Sequence, residues 1–167
     1  MLRLSTLLPI FVVMKRTLCI LFALLGAAAS LRAQRAEVGD KAPRISGVEW
    51  ISDAPEEIGG ITMVLFFHSS NKECRELIEV CNALAYNFRD NMNVIVLTRE
   101  PAEQVASLLM HDYQFFYVAT DEEGDLFEDF GARHVPYAVI INRKGRIEWT
   151  GNPCYIDQNT IQNIINL

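Results

Sequence analysis

The order of hydrophobic and polar positions predicts strands that alternate with helices. Residues 61–67 are a continuous apolar, partly β-branched run, typical of a strand buried on both faces. Ser69–Asn71 follow with residue types that favour helix N-caps, and apolar residues then recur at helical spacing. These positions are Cys74, Leu77, Ile78, Cys81, Leu84, Ala85 and Phe88. We therefore expect a helix that runs to about Phe88 and buries one face.

The alternation continues and then changes character near the end of the chain. The pattern predicts a strand, a helix, a short strand, a pair of strands and a final helix, at residues 93–98, 101–112, 115–119, 137–142, 146–151 and 157–167. Gly145 lies between the paired strands, where a positive φ suits glycine, so these strands form an antiparallel hairpin. Asp157 is expected to cap the final helix. Alternating strands and helices favour a parallel α/β core.

Residues 1–33 have the features of a targeting segment. They contain only basic charged residues, with Lys15 and Arg16 ahead of an apolar stretch at residues 17–30. Such a pattern is typical of a secretory signal peptide, and we expect cleavage after Ala33, with the true start at Met14 as the simplest account of the first residues. An uncleaved segment that anchors the protein in a membrane is the alternative. The expected domain is residues 34–167.

Composition and charge limit the function classes. The 167-residue chain is 50% hydrophobic and 22% charged, as in an ordinary globular domain. Residues 34–167 carry 11 basic and 21 acidic residues, a net charge of −10. We therefore expect no nucleic-acid partner and no attraction to anionic membrane surfaces.

The potential metal ligands are scattered along the chain. Residues 34–167 contain three cysteines and three histidines: Cys74, Cys81, Cys154, His68, His111 and His134. Their spacing matches no zinc pattern, and the acidic run at residues 121–125 reads as a solvated turn without the spacing of an EF-hand loop. We expect no metal or other cofactor. An odd number of cysteines in an exported protein leaves at least one thiol free or paired with another molecule.

Four segments occur in the predicted order of elements: Val38–Pro43, Phe66–Arg75, Phe130–Pro136 and Ile140–Ile147. Together they resemble the thioredoxin fold, and specifically the exported TlpA/ResA-like branch of the thioredoxin-like superfamily, over roughly residues 37–153. The resemblance implies an α/β thioredoxin fold with a central mixed sheet flanked by helices. It also implies a cis-proline, Pro136, before the hairpin, a thiol-disulfide oxidoreductase family, and a location in the periplasm or cell envelope.

The chemistry departs from that family at its redox motif. Aligning Phe66–Arg75 with the family's Trp-Cys-x-x-Cys pattern puts Asn71 at the first, nucleophilic cysteine and Cys74 at the second. The first cysteine normally attacks because the helix N-terminus lowers its pKa. An asparagine there can cap the helix but cannot form a disulfide. We therefore expect the standard activity to be lost or replaced.

The family's cis-proline implies a binding surface that survives this loss. The residue before that proline pairs through its backbone with an extended peptide. We accordingly predict a rim, here called the Pro136 rim and made of His68, Asn71, Val135 and Pro136, that binds an extended peptide or a client or partner protein. The alternative is that Pro136 only sets the turn into the hairpin. His134 is a further candidate for the rim, and His68 is expected to lack a proton-transfer partner.

Three interpretations of the thiols stay open. Cys74 could act alone as a one-cysteine peroxidase, although the Pro-x-x-x-Thr-x-x-Cys pattern of such enzymes is absent. Cys81 cannot pair with Cys74 because seven residues of helix rise about 10 Å. Cys154, which the thioredoxin topology puts at the same rim, could form a disulfide with Cys74. Otherwise Cys74 and Cys81 are small core residues, Cys154 is an incidental surface thiol, and the protein binds a peptide or partner without a redox cycle.

Overall fold

The structure is a computed structural model that describes residues 36–56, 58, 60–110 and 114–167. The predicted leader at residues 1–33 lies outside the described residues, as does His111. In the described ranges, no helix is both long enough and apolar enough to cross a membrane.

Six strands of the described chain form one sheet, in the order β1-β4-β3-β2-β5-β6. The strands are β1 (Glu49–Trp50), β2 (Ile61–Phe67), β3 (Met92–Thr98), β4 (Tyr117–Thr120), β5 (Tyr137–Ile141) and β6 (Ile147–Gly151). The helices are α1 (Lys72–Phe88), α2 (Ala102–Leu109), α3 (Asp125–Asp129) and α4 (Gln158–Ile165), with a 3-10 turn at Pro153–Tyr155.

Strand β2 is central and pairs on both edges. It runs parallel to β3, from Ile61 opposite Met92 to Phe67 opposite Thr98, and antiparallel to β5. All seven of its residues are buried, as the continuous apolar run predicts, because helices or loops cover both faces of the sheet. The Val135–Pro136 peptide bond is cis and directly precedes β5, as the resemblance implies. The expected mixed sheet flanked by helices is therefore present.

The core lies on both faces of the sheet. Alternate residues of β2 point to opposite faces, so Met63, Leu65 and Phe67 pack with apolar residues of α1, α2 and α4. Val64 and Phe66 face the other way, toward α3 and the segment that precedes β1. The Phe66 ring contacts three aromatic rings, with centroid distances of 4.9 Å to Phe127, 5.6 Å to Phe130 and 5.8 Å to Tyr137. One side chain thus joins β2, α3 and β5.

Several element boundaries differ from the predictions. Helix α2 ends at Leu109 and not at Asp112, because Met110 is extended, with φ −102° and ψ 116°. The short strand is Tyr117–Thr120 and not 115–119, since it pairs in register with β3 from Ile95 to Thr98. Strand β5 ends at Ile141 and not at Asn142, and β6 begins at Ile147 and not at Arg146. The side-chain oxygen of Asn142 accepts the backbone N–H groups of Lys144 and Arg146 in the hairpin turn. Gly145 in that turn has φ +70°, as expected.

The acidic run at residues 121–125 contains the predicted turn, closed by a hydrogen bond from the Gly124 N–H to the Asp121 carbonyl at 2.9 Å, but it is only partly solvated. Asp121 is buried, with 5% of its surface exposed, and its carboxylate accepts the N–H of Phe127 at 3.1 Å. That contact holds the start of α3, a helix that the sequence pattern did not predict because it spans five residues. The other three acidic residues of the run, Glu122, Glu123 and Asp125, are exposed and form the expected acidic face.

The role of Phe66 can be tested by truncation. Phe66→Ala should lower the free energy of unfolding by about 3–5 kcal/mol, because it empties the space among three rings. Tyr155→Ala, at a side chain that is 85% exposed, is the control and should change stability by less than about 0.5 kcal/mol. Urea denaturation followed by circular dichroism measures both. A cost below about 1 kcal/mol for Phe66→Ala would contradict the packing described here.

Candidate functional site

The site lies at one edge of the sheet, where two parallel strands end side by side. Phe67 of β2 pairs with Thr98 of β3, so the residues that follow each strand are neighbours. One loop, residues 68–71, leads into α1, and the other, residues 99–101, leads into α2. The cis-proline segment before β5 reaches the same edge, because Tyr137 pairs with Phe66.

The side chain of Asn71 joins two of these segments. Its Oδ1 accepts the backbone N–H of Cys74 at 3.0 Å, which makes Asn71 the N-cap of α1. Its Nδ2 donates to the Val135 carbonyl at 2.9 Å. Both ends of the amide are therefore used, one for the helix start and one for the residue before Pro136.

Cys74 is a buried thiol in the first turn of α1. Its exposed fraction is 0%, and burial raises its pKa above the ordinary value of a thiol. A backbone hydrogen bond with His68 works in the opposite direction, but the charges of Glu73, Cys154 and Glu100 raise the pKa further. Since thiolate is the nucleophilic form, this setting disfavours reaction at neutral pH.

Glu100 is a site residue that the sequence reasoning missed. It lies two residues after β3, is 8% exposed, and accepts hydrogen bonds from the Ser69 N–H at 2.6 Å and the Ser69 hydroxyl at 2.5 Å. The Thr98 hydroxyl donates to the same carboxylate at 3.2 Å. The available signal in the sequence was a carboxylate two residues after an apolar strand and immediately before a proline. The hydrogen bonds of Glu100 could not be predicted from that signal, because only the pairing of β2 with β3 brings Ser69 to this carboxylate.

These contacts fix the charge state of Glu100. Burial by itself raises the pKa of this carboxyl, but the two hydrogen bonds from Ser69, the nearby His68 and the Thr98 hydroxyl outweigh it. The net effect lowers the pKa below its ordinary value, so the carboxylate is ionised at neutral pH. A negative charge is therefore held inside the site, close to Cys74.

The His68 ring has polar neighbours that the sequence did not reveal, although they do not form a proton-transfer relay. Its Nδ1 lies 3.6 Å from the Glu100 carboxylate, 3.2 Å from the Ser70 backbone nitrogen and 3.0 Å from the Ser70 hydroxyl. All three neighbours meet the same ring nitrogen. A serine-histidine-carboxylate relay requires opposite ring nitrogens, so this cluster is not one. The His68 side chain is 48% exposed and lies at the surface of the site.

In the cis-proline segment, the groups that can bind another molecule are mainly backbone groups, because the side chains beside the peptide bond are buried or half-buried. Pro136 is buried, Val135 is half-buried and His134 is exposed, with its ring 5.8 Å from the Tyr137 ring. The Val135 carbonyl accepts the Asn71 amide, whereas the Val135 N–H donates to no described residue. The accessible parts of the Pro136 rim are thus His68, Asn71 and the backbone of Val135.

The other two cysteines lie in α1 and in the 3-10 turn. Cys81 is buried in α1, and burial raises its pKa to about 12. Cys154 is exposed in the 3-10 turn; partial burial and then Glu73 raise its pKa. Strand β6 ends at Gly151 opposite Ala138, two residues after Pro136, so Cys154 follows β6 near the same edge of the sheet. All three thiols are free.

No group of described side chains has the arrangement of a metal site. Of the described acidic residues near the site, Glu100 accepts hydrogen bonds from Ser69, whereas Glu73 and Glu76 are exposed at the surface. The chemistry that the site itself supports is hydrogen bonding by the Val135 backbone, His68 and the Asn71 amide.

Comparison with known proteins agrees with this architecture. Residues 38–150 match the AhpC/TSA family. A comparison with curated proteins finds no match.

Three solved structures illustrate the similarity. A Chlorobium tepidum protein assigned as a thiol:disulfide interchange protein DsbE is 18% identical, with a TM-score of 0.64, and the match covers 78% of this chain and 99% of that one. A thiol-disulfide isomerase from Corynebacterium glutamicum is 17% identical, with a TM-score of 0.60 and coverage of 78% and 94%. A secreted disulfide oxidoreductase from Mycobacterium tuberculosis is 13% identical, with a TM-score of 0.54 and coverage of 65% and 81%. At these identities the likeness concerns the fold, and it confirms the thioredoxin fold predicted from the sequence.

Removing the charge of Glu100 should expose its structural contribution. Glu100→Gln keeps the shape but weakens charge-assisted hydrogen bonds, and we expect a loss of about 1.5–3 kcal/mol in unfolding free energy at about pH 7. Because the folded-state pKa is lowered, the contribution is complete above the unfolded pKa of about 4.3 and disappears as the pH falls through the folded pKa.

Urea denaturation at several pH values checks this prediction. The stability difference between the native protein and Glu100→Gln should shrink as the pH falls below about 4. Glu103→Gln, at an exposed position in the first turn of α2, is the matched control and should show a much smaller difference at every pH. A difference for Glu100→Gln that is unchanged down to about pH 2 would show that ionisation of Glu100 is not involved.

Proposed function

The chain belongs to the AhpC/TSA family, and from this premise we propose that it is an exported thioredoxin-like protein that binds an extended peptide or a partner protein at the Pro136 rim without a dithiol cycle. The leader-like sequence at residues 1–33 supports export to the periplasm or cell envelope. The secreted Mycobacterium tuberculosis protein of the same fold is consistent with that location.

The observation that carries the proposal is the use of Asn71 together with the burial of Cys74. Asn71 occupies the helix N-cap, where the family's motif has its attacking cysteine, and its side chain is committed to two hydrogen bonds. The remaining thiol at Cys74 has no exposed surface, and the charges near it are negative. A nucleophilic thiolate needs the opposite environment, with exposure and neighbouring positive charge.

Peptide binding is supported by the backbone at Val135. An extended peptide adds to a protein edge by exchanging N–H and carbonyl hydrogen bonds. The Val135 N–H has no partner among the described residues, and its carbonyl retains a second lone pair beside the one used by Asn71. The exposed His68 ring would flank such a peptide.

A thiol oxidoreductase that uses Cys74 with Cys154 is the second candidate. The observation in its favour is that Cys154 lines the same groove as Glu73, the residue before Cys74, and that its charge raises the pKa of Cys74. In that reaction one thiolate would attack a client disulfide and release a client thiol. The other thiol would then attack the mixed disulfide and release the second client thiol. The client would gain two electrons and two protons, and Cys74 and Cys154 would be oxidised to a disulfide. A one-cysteine peroxidase has less support. The Arg75 guanidinium donates to the Ser69 carbonyl and is not among the groups that shift the pKa of Cys74.

A cysteine at position 71, where the family's motif has its first cysteine, distinguishes these two candidate functions. Asn71→Cys should gain insulin-disulfide reductase activity with dithiothreitol, because a thiol at the helix N-terminus forms thiolate readily and Cys74 follows at the motif's spacing. The native protein should show no catalysis above the dithiothreitol background. The double variant Asn71→Cys with Cys74→Ser is the control and should lose turnover. Activity of the native protein that disappears in Cys154→Ser would instead support the second candidate.

Peptide binding at the rim is tested by amide signals in nuclear magnetic resonance spectra. The probe is a short uncharged peptide of alternating Thr and Val, which favours an extended conformation. We expect the Val135 amide to shift and to become protected from hydrogen exchange, because it gains a hydrogen-bond partner. The Gly145 amide, which donates to Asn142 at the other end of the sheet, is the control and should not change. Binding that leaves the Val135 amide unchanged would refute the rim as the site.

A further inference from the structure

A groove lies between α1 and the C-terminal part of the chain, outside the Pro136 rim. Its volume is about 370 Å³. We call it the α1–α4 groove. Its lining includes Glu73, Glu76 and Val80 of α1, and Pro153, Cys154 and Ile161 from the C-terminal part. None of the four rim residues lines it, so the groove is a separate surface.

Most of the groove lining is apolar and part of it is open to solvent. Leu77, Leu84 and Ile161 are buried at its base, whereas Val80 is 49% exposed. Tyr155, beside the lining residues Pro153 and Cys154, is 85% exposed. Exposed apolar surface in a concave site is typical of protein interaction sites.

The charged side chains that line the groove are both acidic. Glu73 and Glu76 lie three residues apart on α1, so they are neighbours on one face of the helix. Two cations lie close to them in sequence. The Lys72 amino group pairs with Glu76 at 3.3 Å at an exposed position, and the Arg75 guanidinium donates to the Ser69 carbonyl. Glu73 and Glu76 line the groove together with Cys154, and their charges raise the pKa of that thiol. The charge that lines the groove is therefore acidic.

We propose that the α1–α4 groove binds a segment of a partner protein in which apolar side chains are flanked by Lys or Arg. The apolar base would take the apolar side chains, and the two carboxylates would pair with the cations. Charge complementarity selects this occupant over others. Nucleic acids and anionic lipids would be repelled, and so would the same acidic groove of a second copy.

Matched peptides test the chemistry of the occupant. The probe is a short fluorescein-labelled peptide of alternating Leu and Lys, measured by fluorescence anisotropy at low and high salt. It should bind in a salt-sensitive manner, while a Leu–Glu peptide should not bind and a Ser–Lys peptide should bind at least about tenfold more weakly. Equal binding of the Leu–Lys and Ser–Lys peptides would refute a role for the apolar base.

Variants test the location. Changing Glu73 and Glu76 together to Gln should weaken binding at least about tenfold, and Val80→Arg should abolish it. Glu79→Gln removes an exposed charge from the same helix outside the groove and should have little effect. If Glu79→Gln weakens binding as much as the double variant, the peptide responds only to overall acidity and the proposal is wrong.

Alkylation of Cys154 gives an independent readout of position. Cys154 is exposed and lines the groove, so saturating Leu–Lys peptide should slow its reaction with iodoacetamide at least about fivefold. Unchanged alkylation in the presence of bound peptide would place the peptide elsewhere. The Val135 amide reports the rim separately, so failure at the groove and failure at the rim can be distinguished.

Discussion

The pairing of β2 on both edges is the constraint on which the site depends. Its parallel register with β3 ends at Phe67 opposite Thr98, which brings the loop before α1 against Glu100. Its antiparallel register with β5 ends at Phe66 opposite Tyr137, which brings the cis-proline segment to the same place. A shift of one residue would exchange the side chains that pack on the two faces of β2, so the different packing partners on those faces fix the register.

Within that frame, the electrostatics of the site are opposite to those of an activated thiol. The helix N-terminus favours negative charge, but here a neutral amide satisfies it through Asn71. The negative charge of the site resides on Glu100, which hydrogen bonds keep ionised, and it acts against ionisation of Cys74. The site is therefore built to hold loops in place and to present backbone groups.

The sequence predicted the fold more fully than the site. The apolar run of β2 and the one-sided pattern of α1 are local signals. Their predicted buried residues are buried, except that Phe88 at the end of α1 is half-buried. The two-residue strand β1 and the five-residue helix α3 are too short for periodicity to reveal. Asn71 could be recognised as a helix cap from its position, but its bond to Val135 joins residues 64 positions apart. Glu100 was missed for the same reason, because Ser69 and His68 reach it only through the pairing of two strands.

The central claim, that Cys74 is a buried and protonated thiol, is tested most directly by the pH dependence of its alkylation rate. Mass spectrometry of the native protein can follow Cys74, Cys81 and Cys154 separately. We expect Cys154 to react first, Cys74 to react slowly with a midpoint above about pH 8.5, and Cys81 to react only after denaturation. Fast alkylation of Cys74 below about pH 7 would show instead that it is an activated thiolate and would support a redox role for this cysteine.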